Sequence, residues 1–260
     1  EQRGGEIRLL MPATGQDHTE AMRAYAGRRL GELAGQELCG YIFKKDSPSC
    51  GMERVRVYDS SGMPHGVPQK AGRGLFAAAL MARFPELPVE EEARLWDPRL
   101  RENYIERVFA YRRLRSLFGQ RWGLGVLNAF HTAHKRQLLA HSPAACRSLG
   151  RLVAEAKNLD RGRLRDTYAA EFMKALRIIA TATRNANVLR HMLGCFTDRL
   201  DDGSRQEMVS AIEDYRKGLC PLVVPLTLVR HYARRFDVSD LKGQTYLEPH
   251  PKELMLRNHA

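Results

Sequence analysis

A single cysteine stands at the tip of a polar turn, KKDSPSCGM (Lys44 to Met52), between two strand-like runs, LCGYIF and RVRVY. Pro48 fixes its own φ near a turn value and biases Ser47 toward extended backbone. Gly51 gives the chain angles barred to other residues, so Cys50 is expected on a rigid turn. Two lysines and the free N–H groups of such a turn favour a thiolate, the form that binds metal or attacks an electrophile. The alternative is a small half-buried residue packed between strands. In FHTAHKRQLLAHSP, His131, His134 and His141 fall within about one helical face. Zinc-protease chemistry would want two histidines four apart with a glutamate between them, which this run lacks. Lining a polar seam, or holding an anionic group together with Lys135 and Arg136, fits the spacing better. TRNANVLRHMLGCF sets Asn187 and His191 one turn apart, with Arg184 a turn earlier. Such groups on the inner side of an apolar helix need partners, so a ligand pocket or a buried hydrogen-bond network is expected there.

These residues need elements to position them. IRLLM reads as a short strand, and TGQDHTEAM leads into a helix that Asp17 or Thr19 can cap and Gly35 stops. CGYIF and RVRVY read as strands around the Cys50 turn. A Gly-rich loop, HGVPQKAGRG, then feeds the helix LFAAALMARF, which the prolines of FPELPVEEE end. This order is that of an α/β domain. From Asp97 the pattern becomes helical throughout. WDPRLRENYIERVFAYRRLRSLF starts on Asp-Pro, and further helices are read at about 124–141, 142–156, 164–179, 185–200, 204–217 and 221–236. The expected organisation is an α/β part at 1–96 and an all-α domain at 97–260.

Charge separates the same two parts. Residues 1–92 carry 12 Lys+Arg against 13 Asp+Glu, whereas the other 168 carry 30 against 17, so the net +12 belongs to the helical part. An anionic partner is implied, with nucleic acid or a nucleotide ahead of a membrane; a solubilising excess is the alternative. The basic end of LTLVRHYARRF suits the negative pole of its helix and could equally contact phosphates. No apolar run approaches the roughly 20 residues that span a bilayer. Five scattered cysteines point to a reducing compartment, the cytoplasm, and Cys146, Cys195 and Cys220 read as packing residues.

TGQDHTEAM, IFKKDSPSCGMERVRVY, AGRGLFAAALM and LPVEEE together resemble the latter two-thirds of the TudS-like family, whose relatives are thiouracil desulfidases. FHTAHKRQLLAHSP, NANVLRHMLG, IEDYRKGLCPLVVPLTLVRHY and GQTYLEPHPKELMLRN resemble the helical YbgA-like domain often fused behind it. The resemblance implies a four-iron four-sulfur cluster held by three cysteines, with one iron open to the substrate's thione sulfur. Carried over, Cys50 would be the third cluster ligand, and Ser47, with Ser49 as second candidate, the hydroxyl that orients substrate or relays a proton. Asp17 and Thr19 match an acidic turn that reads as structural support. The family's other two cluster cysteines and its glutamate base lie in an N-terminal segment that this chain lacks, and EQRGGEIRLLM starts abruptly, as a cut chain would. The intact protein is therefore expected to desulfurate a thiolated pyrimidine base, nucleotide or RNA, while this chain alone is expected to be inactive and to hold no cluster stably. The alternative is a nucleic-acid or nucleotide-binding module on a degenerate, non-catalytic α/β scaffold.

Overall fold

The computed structural model describes residues 2–3, 6–58 and 69–258. It divides into two compact units, Glu1–Asp97 and Pro98–Ala260. In the first, β1 (Gln2–Arg3) pairs antiparallel with β2 (Glu6–Ile7), and α1 spans Thr19–Ala34. The expected strand IRLLM keeps only its first residue in β2, and Leu10 bridges Asp17. Asp17 Oδ1 accepts the first helical amide, that of Thr19, and Thr19 Oγ1 accepts Leu9 N–H, so both residues organise the helix start although His18 occupies the cap position. β3 (Tyr41–Phe43) and β4 (Val55–Val57) bracket the Cys50 turn. The end of the second strand-like run and most of the Gly-rich loop, residues 59–68, lie outside the described residues. β5 (Gln69–Gly72) pairs antiparallel with β4 where a loop was expected. After α2 (Leu75–Arg83), β6 (Val89–Glu91) lies parallel to β3, which makes β3–α2–β6 a crossover unit. The three residues of β6, two of them glutamates, are buried.

The second unit is helical: α3 (Pro98–Phe118), α4 (Leu124–His141), α5 (Pro143–Ala154), α6 (Arg161–Leu176), α7 (Ala182–Leu193), α8 (Asp202–Arg216) and α9 (Val223–Arg235). Side-chain caps fix several starts, with Ser142, Asp160, Thr181 and Asp201 each accepting an amide three residues on. Caps at Asp160 and Thr181 start α6 and α7 three residues earlier than the apolar pattern indicates. One core gathers Leu114, Leu127, Leu138, Leu149, Tyr168 and Phe172 from α3 to α6; another gathers Leu189, Met192, Phe196, Ile212, Val229 and Tyr246. Among the described residues no helix is long and apolar enough to cross a membrane.

Candidate functional site

Residues 44–52 fold back on themselves. Gly51 N–H donates to Ser47 O (2.7 Å) and Cys50 N–H to Ser47 Oγ (3.1 Å). Ser47 Oγ and Ser49 Oγ are 3.1 Å apart, and Ser49 O–H donates to Cys50 Sγ at 3.5 Å. With the Ser49 proton on sulfur, Ser47 must donate to Ser49. The three residues thus close a ring from the Cys50 amide through two hydroxyls to the Cys50 thiol, and all three side chains are half-buried.

The turn is clamped from two sides. Its carbonyls satisfy the orphan donors at the start of α2: Gly74 N–H bonds Gly51 O, Leu75 N–H bonds Pro48 O, and Phe76 and Ala77 N–H both bond Ser49 O. A Cβ at Gly74 would come closer than 3.0 Å to the Ser49 carbonyl and Cys50 N, so only glycine permits this contact. On the other side Glu91 Oε1 accepts Met52 N–H and Glu92 Oε2 accepts Lys45 N–H, both at 2.8 Å. Glu90 Oε1 accepts Arg94 Nε at 2.7 Å. Tyr41 lies close enough that the Cys50 charge adds to burial in pushing its phenol up.

Two expectations for this turn are corrected. Gly51 is absent from the glycines with positive φ; its Cβ would strike Val55 Cγ2 and Ser47 O, so close approach rather than backbone angle requires glycine here. The amides of Cys50 and Gly51 are bonded within the turn and are not free to hold a thiolate from outside. A cavity of about 430 Å³ flanks the turn at Pro48 and Leu75, and Ser47, Ser49 and Cys50 do not line it.

A cluster needs more ligands than the turn supplies. The Cys39 thiol is directed at Glu37 O (3.6 Å), and no three His, Cys, Asp or Glu side chains converge as a metal site among the described residues. The residues present provide at most one thiolate and do not complete a ligand set.

In the helical unit the three histidines share the buried side of α4 but do not converge on one site. His131 Nδ1 meets Tyr168 Oη (3.1 Å), in the first core. His134 Nδ1 bonds Phe130 O (2.8 Å), its ring stacks on Phe130, and burial holds it neutral, down to about 4. His141 uses both nitrogens, Nδ1 on Ile178 O (2.6 Å) and Nε2 on Glu106 Oε2 (3.2 Å). Two acceptors make it an imidazolium, and Glu106 raises it against the effect of burial. Burial alone would push Glu106 up; His141, Arg257 and Gln137 overrule it and hold the carboxyl at about 2. Lys135 is exposed. Arg184 Nη1 caps the end of α4 on His141 O (2.9 Å).

Asn187 and His191 are not on the inner side of α7, contrary to the sequence reading. The buried stripe is Asn185, Val188, Leu189 and Met192, which turns Asn187 and His191 outward; Asn187 accepts only Arg190. The inward amide is Asn185, which donates to Tyr215 Oη and accepts from Tyr246 Oη, both at 2.9 Å. A neighbouring pair, Arg257 with Glu102 (3.0 Å), extends the network, and burial raises Glu102. This network, Glu106, His141, Asn185, Tyr215, Tyr246 and Arg257 among it, lines a cavity of about 580 Å³. Of the seven residues expected to form a pocket, only His141 reaches it.

The family model for 2-thiouracil desulfurase matches residues 1–92, and that for a protein of unknown function (DUF1722) matches residues 135–251. The uncharacterized protein YbgA of Escherichia coli (strain K12) is 32% identical over 163 residues, 62% of this chain and 95% of that relative. No solved structure matches. The chain belongs to the YbgA (DUF1722) family, and carries ahead of its helical unit a domain of the 2-thiouracil desulfurase type.

Proposed function

We propose that the α/β unit is part of a desulfidase that exchanges the thione sulfur of a pyrimidine base, nucleotide or RNA for oxygen. The net change is C=S plus water giving C=O plus hydrogen sulfide, with no redox change. The ring of Ser47, Ser49 and Cys50, clamped between α2 and Glu91 of β6 within the matched segment, is the observation that supports this most. In this reading Cys50 offers one ligand to a four-iron four-sulfur cluster, and the remaining ligands belong to a segment N-terminal to residue 1. The chain alone is inactive by that route. The turn's own groups act on protons: Ser49 O–H keeps the Cys50 sulfur hydrogen-bonded, and Ser47, joined to Ser49, passes a proton along the hydroxyl pair. A reducing cytoplasm suits the five free cysteines. The test is sulfide release from 2-thiouracil by the protein bearing its N-terminal segment. Ser47→Ala and Ser49→Ala should lower kcat by about a hundredfold while the protein keeps its fold, as loss of a proton relay does. Unchanged rates in both variants would remove the hydroxyl relay.

A further inference from the structure

The strongest unexplained feature is in the helical unit. Two clefts, of about 450 Å³ and about 580 Å³, share a ridge made by Arg230, Arg234, Leu247 and Glu248. Arg113 lines the first and His250 the second. Each volume is that of a small-ligand pocket.

Cations outnumber carboxylates on both walls, and Arg113, Arg230 and Arg234 make no ion pair among the described residues. Arg113 Nη2 donates to Pro249 O (2.7 Å), but its buried Nη1 has no partner. Arg230, one turn before Arg234 on α9, bonds only Thr227 Oγ1 (3.2 Å). The Arg234 side chain makes no ion pair among the described residues. Asp237 is engaged by Lys242 (2.5 Å), which leaves Glu248 as the carboxylate beside Arg230. Burial first, and then the neighbouring arginines, hold Arg230 and His250 below their ordinary values; burial lowers Arg113 too. Because a guanidinium stays charged, an incoming anion offsets the cost of this crowding.

Two neutral acceptors complete the lining. Gln244, 6% exposed, donates through Nε2 to Thr132 O, and its buried Oε1 is unpartnered. His250, 8% exposed, faces Pro251 O with Nδ1, so Nδ1 carries the proton and the buried, unpartnered Nε2 is an acceptor. The walls are fixed rather than loose: Thr245 N–H bonds Ala133 O on α4.

The geometry points to a binding site for a nucleoside phosphate in these clefts, its phosphate oxygens on Arg113, Arg230 and Arg234 and its N–H or O–H donors on Gln244 and His250. Inorganic phosphate satisfies only the first set, and an uncharged nucleoside only the second. The site does not depend on the activity proposed for the α/β unit.

Calorimetric titration of the whole chain with uridine and adenosine monophosphates, beside uridine, inorganic phosphate and an oligouridylate, tests it. A monophosphate should bind more tightly than uridine or phosphate. Arg113→Gln and the exposed Arg234→Gln should each weaken it about tenfold or more, the effect of one lost charge-assisted bond. Arg147→Gln, on the exposed face of α5, should leave it unchanged. Absence of monophosphate binding by folded chain, or equal affinity in Arg113→Gln, Arg234→Gln and the parent, would overturn the assignment. So would binding of the oligouridylate alone with a steep salt dependence, which would give the clefts to a nucleic-acid backbone.

Discussion

Replacing Glu106 by Gln removes the charge that holds His141 and Arg257 in the buried network. The carboxylate meets His141 Nε2 (3.2 Å), Gln137 Nε2 (2.9 Å) and Arg257 Nη2 (3.7 Å). Its carboxyl is lowered from 4.5 to about 2. At about 1.4 kcal/mol per pH unit, that interval is worth about 3 kcal/mol. Breaking one partner out of a buried ion pair costs about 3–5 kcal/mol, so two independent routes give the same size. The pH dependence has a defined sign. Glu106, with a depressed folded value, contributes fully above 4.5 and loses its contribution as pH falls toward 2. His141, with a raised value, contributes fully below 6.5 and loses its share as pH rises through the folded value. Glu102 is raised by burial, with the Glu106 charge adding to the rise, and works in the opposite sense to Glu106. Urea denaturation followed through Trp122, which packs edge-on against Phe118, reports the helical unit. The stability difference should be about 3 kcal/mol between pH 4.5 and 6.5 and shrink on either side. A variant as stable as the parent in that window, or a difference that ignores pH, would refute the reasoning.

Two further substitutions probe placements that the sequence alone did not resolve. Gly74→Ala drives a Cβ into the Ser49 carbonyl and Cys50 N; it should cost about 1–3 kcal/mol in a thermal melt and speed the reaction of Cys50 with a disulfide reagent by loosening the turn. Asn185→Ala strips partners from the buried hydroxyls of Tyr215 and Tyr246 and should cost about 3 kcal/mol, whereas Asn187→Ala, on the exposed face of the same helix, should stay within about 0.5 kcal/mol; equal effects in denaturation would reverse the assignment of the two amides.

Where chemistry was local, the sequence was readable. Pro48, with Ser47 before it, announces the rigid turn at Cys50, Asp-Pro announces the start of α3, and the apolar spacing gives α4 its bounds, Leu124–His141. The misses share a physical cause. β6 is Val-Glu-Glu, a strand in which buried Glu91 accepts the Met52 amide proton of the Cys50 turn and buried Glu90 accepts from Arg94, so no apolar alternation marks it. Asn185 and Asn187 are two residues apart, on opposite sides of a helix, and only the neighbours Val188, Leu189 and Met192 decide which one is inside. Arg257 meets Glu102 across 155 positions, and Arg113 meets Pro249 across 136; local periodicity holds no record of such contacts. Counting basic residues located the charge in the helical unit, while the buried atoms left without partners, Arg113 Nη1, Gln244 Oε1 and His250 Nε2, emerge only in three dimensions.

Cys50 is the residue on which the proposed desulfidase chemistry depends most. Iron and acid-labile sulfide, measured with the visible spectrum after anaerobic reconstitution, should be set side by side for this chain, for the protein bearing its N-terminal segment, and for a Cys50→Ala variant of the latter. The extended protein is expected to take up about four irons per chain, and the variant and the short chain to retain none stably. Equal iron in the extended protein and its Cys50→Ala variant, or none in either, would contradict the assignment of Cys50 as a cluster ligand.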